Sequence, residues 1–181
     1  MRKHALKDQS GFTLMEILIV VILLGILAMV VVPQITISSE DTKASTLQSN
    51  LSQMRSLLEV YYAQHQETYP GVVDDSDGAG PPSDAAVTFV NQLTLYTNKS
   101  GESSKTDRAN FGLGPYIKSN VLPPNPFNNK NTIVIDTATT DLTARTVVDA
   151  DKGHGYKFFT QTGILIACDG GTSNGVAHAN F

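Results

Sequence analysis

Apolar residues fall along this chain in two regimes. Between Phe12 and Val32 nearly every position is apolar, and from Ile17 to Val32 nothing polar interrupts the run. Beyond Pro33 the apolar positions thin to a stripe: Ala44, Leu47, Leu51, Met54, Leu58 and Tyr61 recur at spacings of 3, 4, 3, 4 and 3. That is the period of an amphipathic helix with one face to bury. Glu40, Lys43, Gln48 and Arg55 fall off the stripe. It extends over only about three heptads, little for a coiled coil, so packing against a sheet of the same chain is its predicted use. Tyr69-Pro70-Gly71 should stop the helix near Thr68, because the proline restrains the residue before it and glycine breaks the pattern. At about 1.5 Å per residue, Phe12 to Thr68 makes a rod of roughly 85 Å.

The rest of the chain changes period. Residues 71–84 are rich in Gly, Pro, Asp and Ser and read as a loop, with Asp84 placed to cap a short helix over 85–97 whose apolar face is Val87, Val90 and Leu93, flanked by Phe89 and Tyr96. A polar connection runs from Asn98 to Asn110. Thr132–Asp136, Arg145–Val148, Tyr156–Thr160 and Gly163–Cys168 are β-branched or aromatic runs bounded by turn residues, the last two spaced as a hairpin. Laid over the helical stripe, these strands give an α+β fold: a long N-terminal helix packed against a small antiparallel sheet.

Composition narrows the setting. The net charge is -4 and the basic residues form no stripe, so no nucleic-acid contact is predicted. Cys168 is the single cysteine, which excludes an intramolecular disulfide and a cysteine metal cluster. Phe12 to Val32 makes a helix of roughly 31 Å, enough to cross a bilayer. Arg2, Lys3 and Lys7 precede it against a single Asp8, which predicts a cytoplasmic N-terminus and an exported remainder. The run is too long for the core of a secretory signal peptide. A plain uncleaved signal anchor would account for all of this. Glu16 departs from that reading, because an ionised acid inside an apolar span costs about 2.5 to 3.5 kcal/mol. It either finds a partner or sits at headgroup level, stabilised by the helix N-terminus. Further along, Pro33 removes a backbone hydrogen bond and Gly25 loosens the helix, so the Gly25–Pro33 stretch is expected to kink or melt.

Gly11-Phe12-Thr13-Leu14-Met15-Glu16 and the apolar run after it resemble the prepilin processing motif of type IV pilins and type II secretion pseudopilins. The resemblance implies cleavage after Gly11 by a membrane-embedded aspartyl prepilin peptidase, N-methylation of the new terminus at Phe12, and retention of the helix. It further implies that Glu16 pairs with the Phe12 amine of a neighbouring subunit and sets the register of assembly, with Gly25 and Pro33 bounding the kinking or melting segment. A buried pair of this kind suits register better than adhesion, since desolvation offsets its attraction.

The expected organisation is a leader over 1–11, a transmembrane or filament-core helix over 12–33, an amphipathic helix over 34–68 and an α+β head over 69–181. The implied partners are copies of itself, other pilin-like subunits, the prepilin peptidase, an inner-membrane assembly platform with its ATPase, and the membrane. The implied location is the bacterial inner membrane, single-pass, with an exported head.

Gly114-Pro115-Tyr116-Ile117, Leu122-Pro123-Pro124-Asn125-Pro126-Phe127, Gly155-Tyr156-Lys157-Phe158 and Thr162-Gly163-Ile164-Leu165 are similar, more loosely, to a pseudopilin-like group. Many pilins close a C-terminal loop with two cysteines, so the lone Cys168 leans towards a type II secretion pseudopilin. A type IV pilin serving adhesion, motility or DNA uptake is the alternative, and a membrane-anchored enzyme or binding module stays open as a third reading.

Other chemistry is sparse. Asp74, Asp75 and Asp77 before Gly78, and Asp149 and Asp151 before Gly153, echo fragments of a calcium loop without completing its spacing. The resemblance brings with it the C-terminal calcium site of major pseudopilins, but its ligands do not map onto this sequence. His4, His65, His154 and His178 lack metal spacing, and His65 is expected on the exposed side of the long helix. No serine sits in a nucleophile elbow, no triad is legible and no phosphate loop follows a strand. The expectation is a non-enzymatic subunit with no cofactor and no bound metal.

Overall fold

The computed structural model describes residues 11–181, with the backbone alone over 30–38. Residues 1–10 of the expected leader, and the side chain of Pro33, lie outside the described residues. The chain divides into two compact units, residues 1–40 and Asp41–Phe181.

Helix α1 runs from Leu14 to Gln64. In the first unit its apolar side chains are exposed throughout the described stretch, from Leu14 at 87% to Met29 at 83%. In the second unit the predicted stripe is the buried face: Ala44, Leu47, Leu51, Met54, Leu58 and Tyr61 are all inside. The helix stops a little before Thr68. Gln66 and Glu67 take left-handed backbone conformations, and the Glu67 N–H closes on the Tyr62 carbonyl at 3.1 Å, a common way to end a helix.

Helix α2, Ala85–Thr94, begins where Asp84 caps it, its carboxylate accepting from the Ala86 and Val87 N–H groups at 3.0 and 3.2 Å. It ends earlier than 97 because Tyr96 and Thr97 leave as a strand, β1, pairing antiparallel with β2, Ser103–Ser104. The sheet that faces the stripe has three strands: β3, Ile133–Asp136; β4, Tyr156–Phe159; and β5, Ile164–Ala167, in the order β3-β4-β5. β4 and β5 form the expected antiparallel hairpin, Tyr156 opposite Ala167 and Phe159 opposite Ile164. β3 and β4 pair in parallel instead, Ile133 opposite Tyr156, which the long connection over 137–155 permits. β6, Thr172–Ser173, and β7, Val176–Ala177, close a small C-terminal hairpin.

Arg145–Val148 is no strand. Just ahead of it Asp141 closes a turn by accepting from the Thr143 N–H and hydroxyl, and the Val148 N–H goes to the Asp151 carboxylate at 3.1 Å. At Val148 a side chain takes the backbone donor that a ladder would have used.

The core forms where the stripe meets the sheet. Leu51, Met54, Leu58 and Tyr61 of α1, Phe89 and Leu93 of α2, Leu122, and Tyr156, Phe158 and Leu165 of the sheet make one cluster. Phe158 lies 5.3 Å from the Phe89 ring and 5.5 Å from Tyr69. Gln92 is fully buried and acts as a staple: it accepts from the Gly71 N–H and donates to the Val73 and Gly101 carbonyls. Arg55, off the stripe, ties α1 to the far end of the chain by donating to the carbonyls of Leu165 and Phe181 at 2.7 and 2.6 Å.

Candidate functional site

The start of α1 is built by a short-range device. Thr13 precedes the first helical residue and Glu16 is the third residue of the helix, the arrangement of a capping box. The Thr13 N–H and its hydroxyl both donate to Glu16 Oε2 at 2.8 Å, and the Glu16 N–H returns to Thr13 Oγ1 at 3.3 Å. Backbone bonds from Glu16 and Ile17 to the Thr13 carbonyl complete the first turn. The carboxylate is therefore held by its own chain, and helix N–H groups that would otherwise be orphaned are answered.

Gly11 and Phe12 lie ahead of this box, outside any regular element and exposed, Phe12 at 85%. A Cβ added at Gly11 or at Gly25 would meet nothing within 4 Å. Gly25 lies in unbroken helix, and the helical backbone continues through position 33. Among the described residues, no helix is long and apolar enough to cross a membrane.

In the head, the acidic fragments turn their oxygens towards the protein. Asp75 accepts from Thr88, Asn91 and Ser103, Asp74 from Ser76, and Asp77 from the Ala79 N–H. Asp149 pairs with Lys152 at 2.7 Å, and Asp151 with Lys157 at 3.0 Å. Among the described residues no group of three or more His, Cys, Asp or Glu side chains could hold a metal ion. Cys168 is buried, and burial foremost, with Asp151 and Asp169 nearby, pushes its thiol up to about 12. It is a core residue, not a reactive one.

Two histidines depart from expectation. His65 is buried, extending the stripe one turn past Tyr61; its ring stacks on Tyr61 at 3.6 Å and bonds the Tyr61 carbonyl and the Thr97 hydroxyl. His178 is also buried, and it joins a set that sequence reading missed. Its Nε2 lies 2.8 Å from Ser173 Oγ, and its Nδ1 is hydrogen-bonded to Asp169 Oδ2. The signal was present only as a Ser, a His and an Asp within a short C-terminal stretch. The β6–β7 turn brings them together.

One helix with two surfaces, buried under its own α+β head in one half and bare in the other, defines a class: subunits whose N-terminal helix is left to find cover outside the chain. The comparisons agree with that class. The prokaryotic N-terminal methylation motif matches residues 6–32. The chain is 38% identical over 123 residues to the type II secretion system core protein G of Aeromonas hydrophila, covering 68% of this chain and 71% of that one. It is 30% identical over 112 residues to the type IV major fimbrial protein FimA of Dichelobacter nodosus, covering 58% of this chain and 72% of the relative. A third match, to the type II secretion system core protein G of Pseudomonas aeruginosa, is 40% identical over 55 residues, 30% of this chain and 39% of that protein's length. No solved structure matches the chain. The chain belongs to the type IV pilin and type II secretion pseudopilin family.

Proposed function

We propose that this chain is a structural subunit of a type II secretion pseudopilus, made as a prepilin, cut between Gly11 and Phe12, methylated on the Phe12 amine and polymerised through α1. The observation that carries this reading is the exposed apolar helix opening on a carboxylate. From Leu14 to Met29 each large apolar side chain is about half bare or more, and covering one is worth about 1.5 to 3 kcal/mol. A surface of that kind has two natural covers, lipid before assembly and neighbouring helices after it. In the membrane, Phe12 to Val32 forms a single pass in the inner membrane with the head exported. In the filament, Glu16 exchanges its bonds to Thr13 for the cationic amine of a neighbouring Phe12, so an incoming helix is seated at one axial position. Gly25 and Pro33 bound the stretch of helix that adjusts to this packing. The peptidase, an assembly platform and other pilin-like subunits are the partners this route requires.

Two relatives named as core protein G of type II secretion systems favour the pseudopilus, as does the lone cysteine. The similarity to FimA supports the second reading, a type IV pilin. Mass spectrometry of the purified chain tests the shared part: the N-terminus is expected to be methylated Phe12, and an intact Met1 would overturn processing. Deleting the gene separates the two readings. Secreted enzymes retained in the periplasm support the pseudopilus, and loss of surface fibres with normal secretion supports the pilus.

A further inference from the structure

The Ser173, His178 and Asp169 set lies far in sequence from the N-terminal motif and has no part in the assembly chemistry above. Its connectivity is that of a nucleophile, a base and a carboxylate that orients the base. His178 is 1% exposed and the Asp169 side chain 5%. The carboxylate is fixed on every side. Asn125 Nδ2 donates to Oδ1 at 3.1 Å, the Gly171 N–H donates to Oδ2 at 3.2 Å, and Asn125, fully buried, is itself anchored to the Gly155 carbonyl. The imidazole sits between Phe127 and Phe181, with ring centroids 4.0 and 5.1 Å away. An ionised Asp169 can only accept, so Nδ1 carries the ring proton and Nε2 turns its lone pair to Ser173.

Fastening the C-terminal hairpin would need the Asp169–His178 contact alone. It does not need a hydroxyl on the outer nitrogen. The side chains of His178 and Asp169 are almost closed to solvent, whereas Ser173 is half-buried. Directly after it, Asn174 and Gly175 turn with φ of 51° and 79°, and neither N–H has an acceptor among the described residues. Free N–H groups beside a serine are the donors an oxyanion needs.

We propose that Ser173, His178 and Asp169 form an acyl-transfer site on the head, with carboxylic esters as its substrate class. Ser173 Oγ attacks the ester carbonyl carbon while its proton passes to His178 Nε2, and the carbonyl electrons move onto oxygen. Collapse of that intermediate breaks the bond to the alkoxy oxygen. The alkoxide takes the proton from Nε2 and departs as the alcohol, leaving acyl-Ser173. Water repeats the sequence with the same base, releases the carboxylic acid and restores the serine. Asp169 touches no reacting atom and acts as a positioning residue.

The test uses the full chain in detergent with p-nitrophenyl acetate as the ester and a fluorophosphonate as the trapping probe. One phosphonyl adduct per chain is expected, mapped to Ser173 and absent from Ser173→Ala, a change at the surface end of the set. Asp169→Asn, which keeps the shape of the side chain, should slow p-nitrophenol release by roughly 10²- to 10⁴-fold. No adduct at Ser173, or equal rates for the parent and Asp169→Asn, would overturn the site.

Discussion

Replacing Lys157 with methionine isolates the most exacting electrostatic feature of the head. Lys157 sits on the central strand β4 between two carboxylates, its Nζ 3.0 Å from Asp151 and 3.6 Å from Asp136, with side chains 10%, 8% and 20% exposed in that order. At an effective dielectric of about 20, each contact carries on the order of 5 kcal/mol of Coulomb attraction. Most of it is offset by taking the three ions out of water. The net contribution of the set is therefore small, but removing the ammonium alone strands two carboxylates, at a cost of about 3 to 5 kcal/mol.

The structure points to the lower end of that range. Asp136 keeps the Thr139 and Ala138 N–H groups and the Thr139 hydroxyl, whereas Asp151 keeps only the Val148 N–H. Methionine keeps an unbranched apolar stem but loses the ammonium that lies 5.1 Å from the Phe159 ring centroid. Urea unfolding of the full chain in detergent, followed by near-ultraviolet dichroism of the tyrosines, should show a lower midpoint with an unchanged slope. Adding Asp136→Asn and Asp151→Asn should recover most of the loss. Hydrogen exchange at the Val148 amide should report the loosened connection. A loss below about 1 kcal/mol, the range of a solvated surface pair, would refute the reasoning. There is also an acid limb. Burial raises the Asp136 carboxyl, but its hydrogen bonds from Thr139 and Ala138 and the Lys157 ammonium outweigh that and hold it below 3.8. A depressed carboxylate stabilises the fold above its unfolded value, so this contribution fades as pH falls below about 3.9.

Glu16→Ala should leave cleavage after Gly11 intact and lower filament yield in electron micrographs; normal yield would remove Glu16 from the assembly step. Thr13→Val takes away the hydroxyl half of the capping box and should cost about 0.5 to 2 kcal/mol at the helix start, seen as faster amide exchange at Glu16 and Ile17. For His65, burial first, opposed by the hydrogen bond with the Tyr61 carbonyl, holds the imidazole below its usual 6.5. The folded head then favours the neutral ring, so its stability is present above about pH 6.5 and is lost as pH falls through and below it. Melting temperature measured from about pH 7 to about pH 5 should fall less steeply in His65→Gln than in the parent chain.

Some features were legible because their causes are local. The buried stripe from Ala44 to Tyr61 follows from helical geometry, which turns residues three and four apart to one face whatever covers them. Asp84 caps α2 by reaching N–H groups two and three residues on. The β4–β5 hairpin was readable because its strands are neighbours in the chain. His65 was misjudged because its burial depends on Thr97 and Tyr116, which arrive from β1 and a distant loop. Arg145–Val148 has strand composition, yet Asp151 takes the Val148 backbone donor and a turn at Asp141 leads into the run.

What the sequence by itself determined is the motif and apolar run that open the chain and the helical stripe that follows them, since both patterns are written within a few residues of one another. What only the tertiary structure decided is the parallel pairing of β3 with β4, the burial of Lys157 between Asp136 and Asp151, and the meeting of Ser173, His178 and Asp169. The first two depend on which segments the shared core draws together, the third on the side-chain geometry of one tight hairpin, and no local periodicity encodes either.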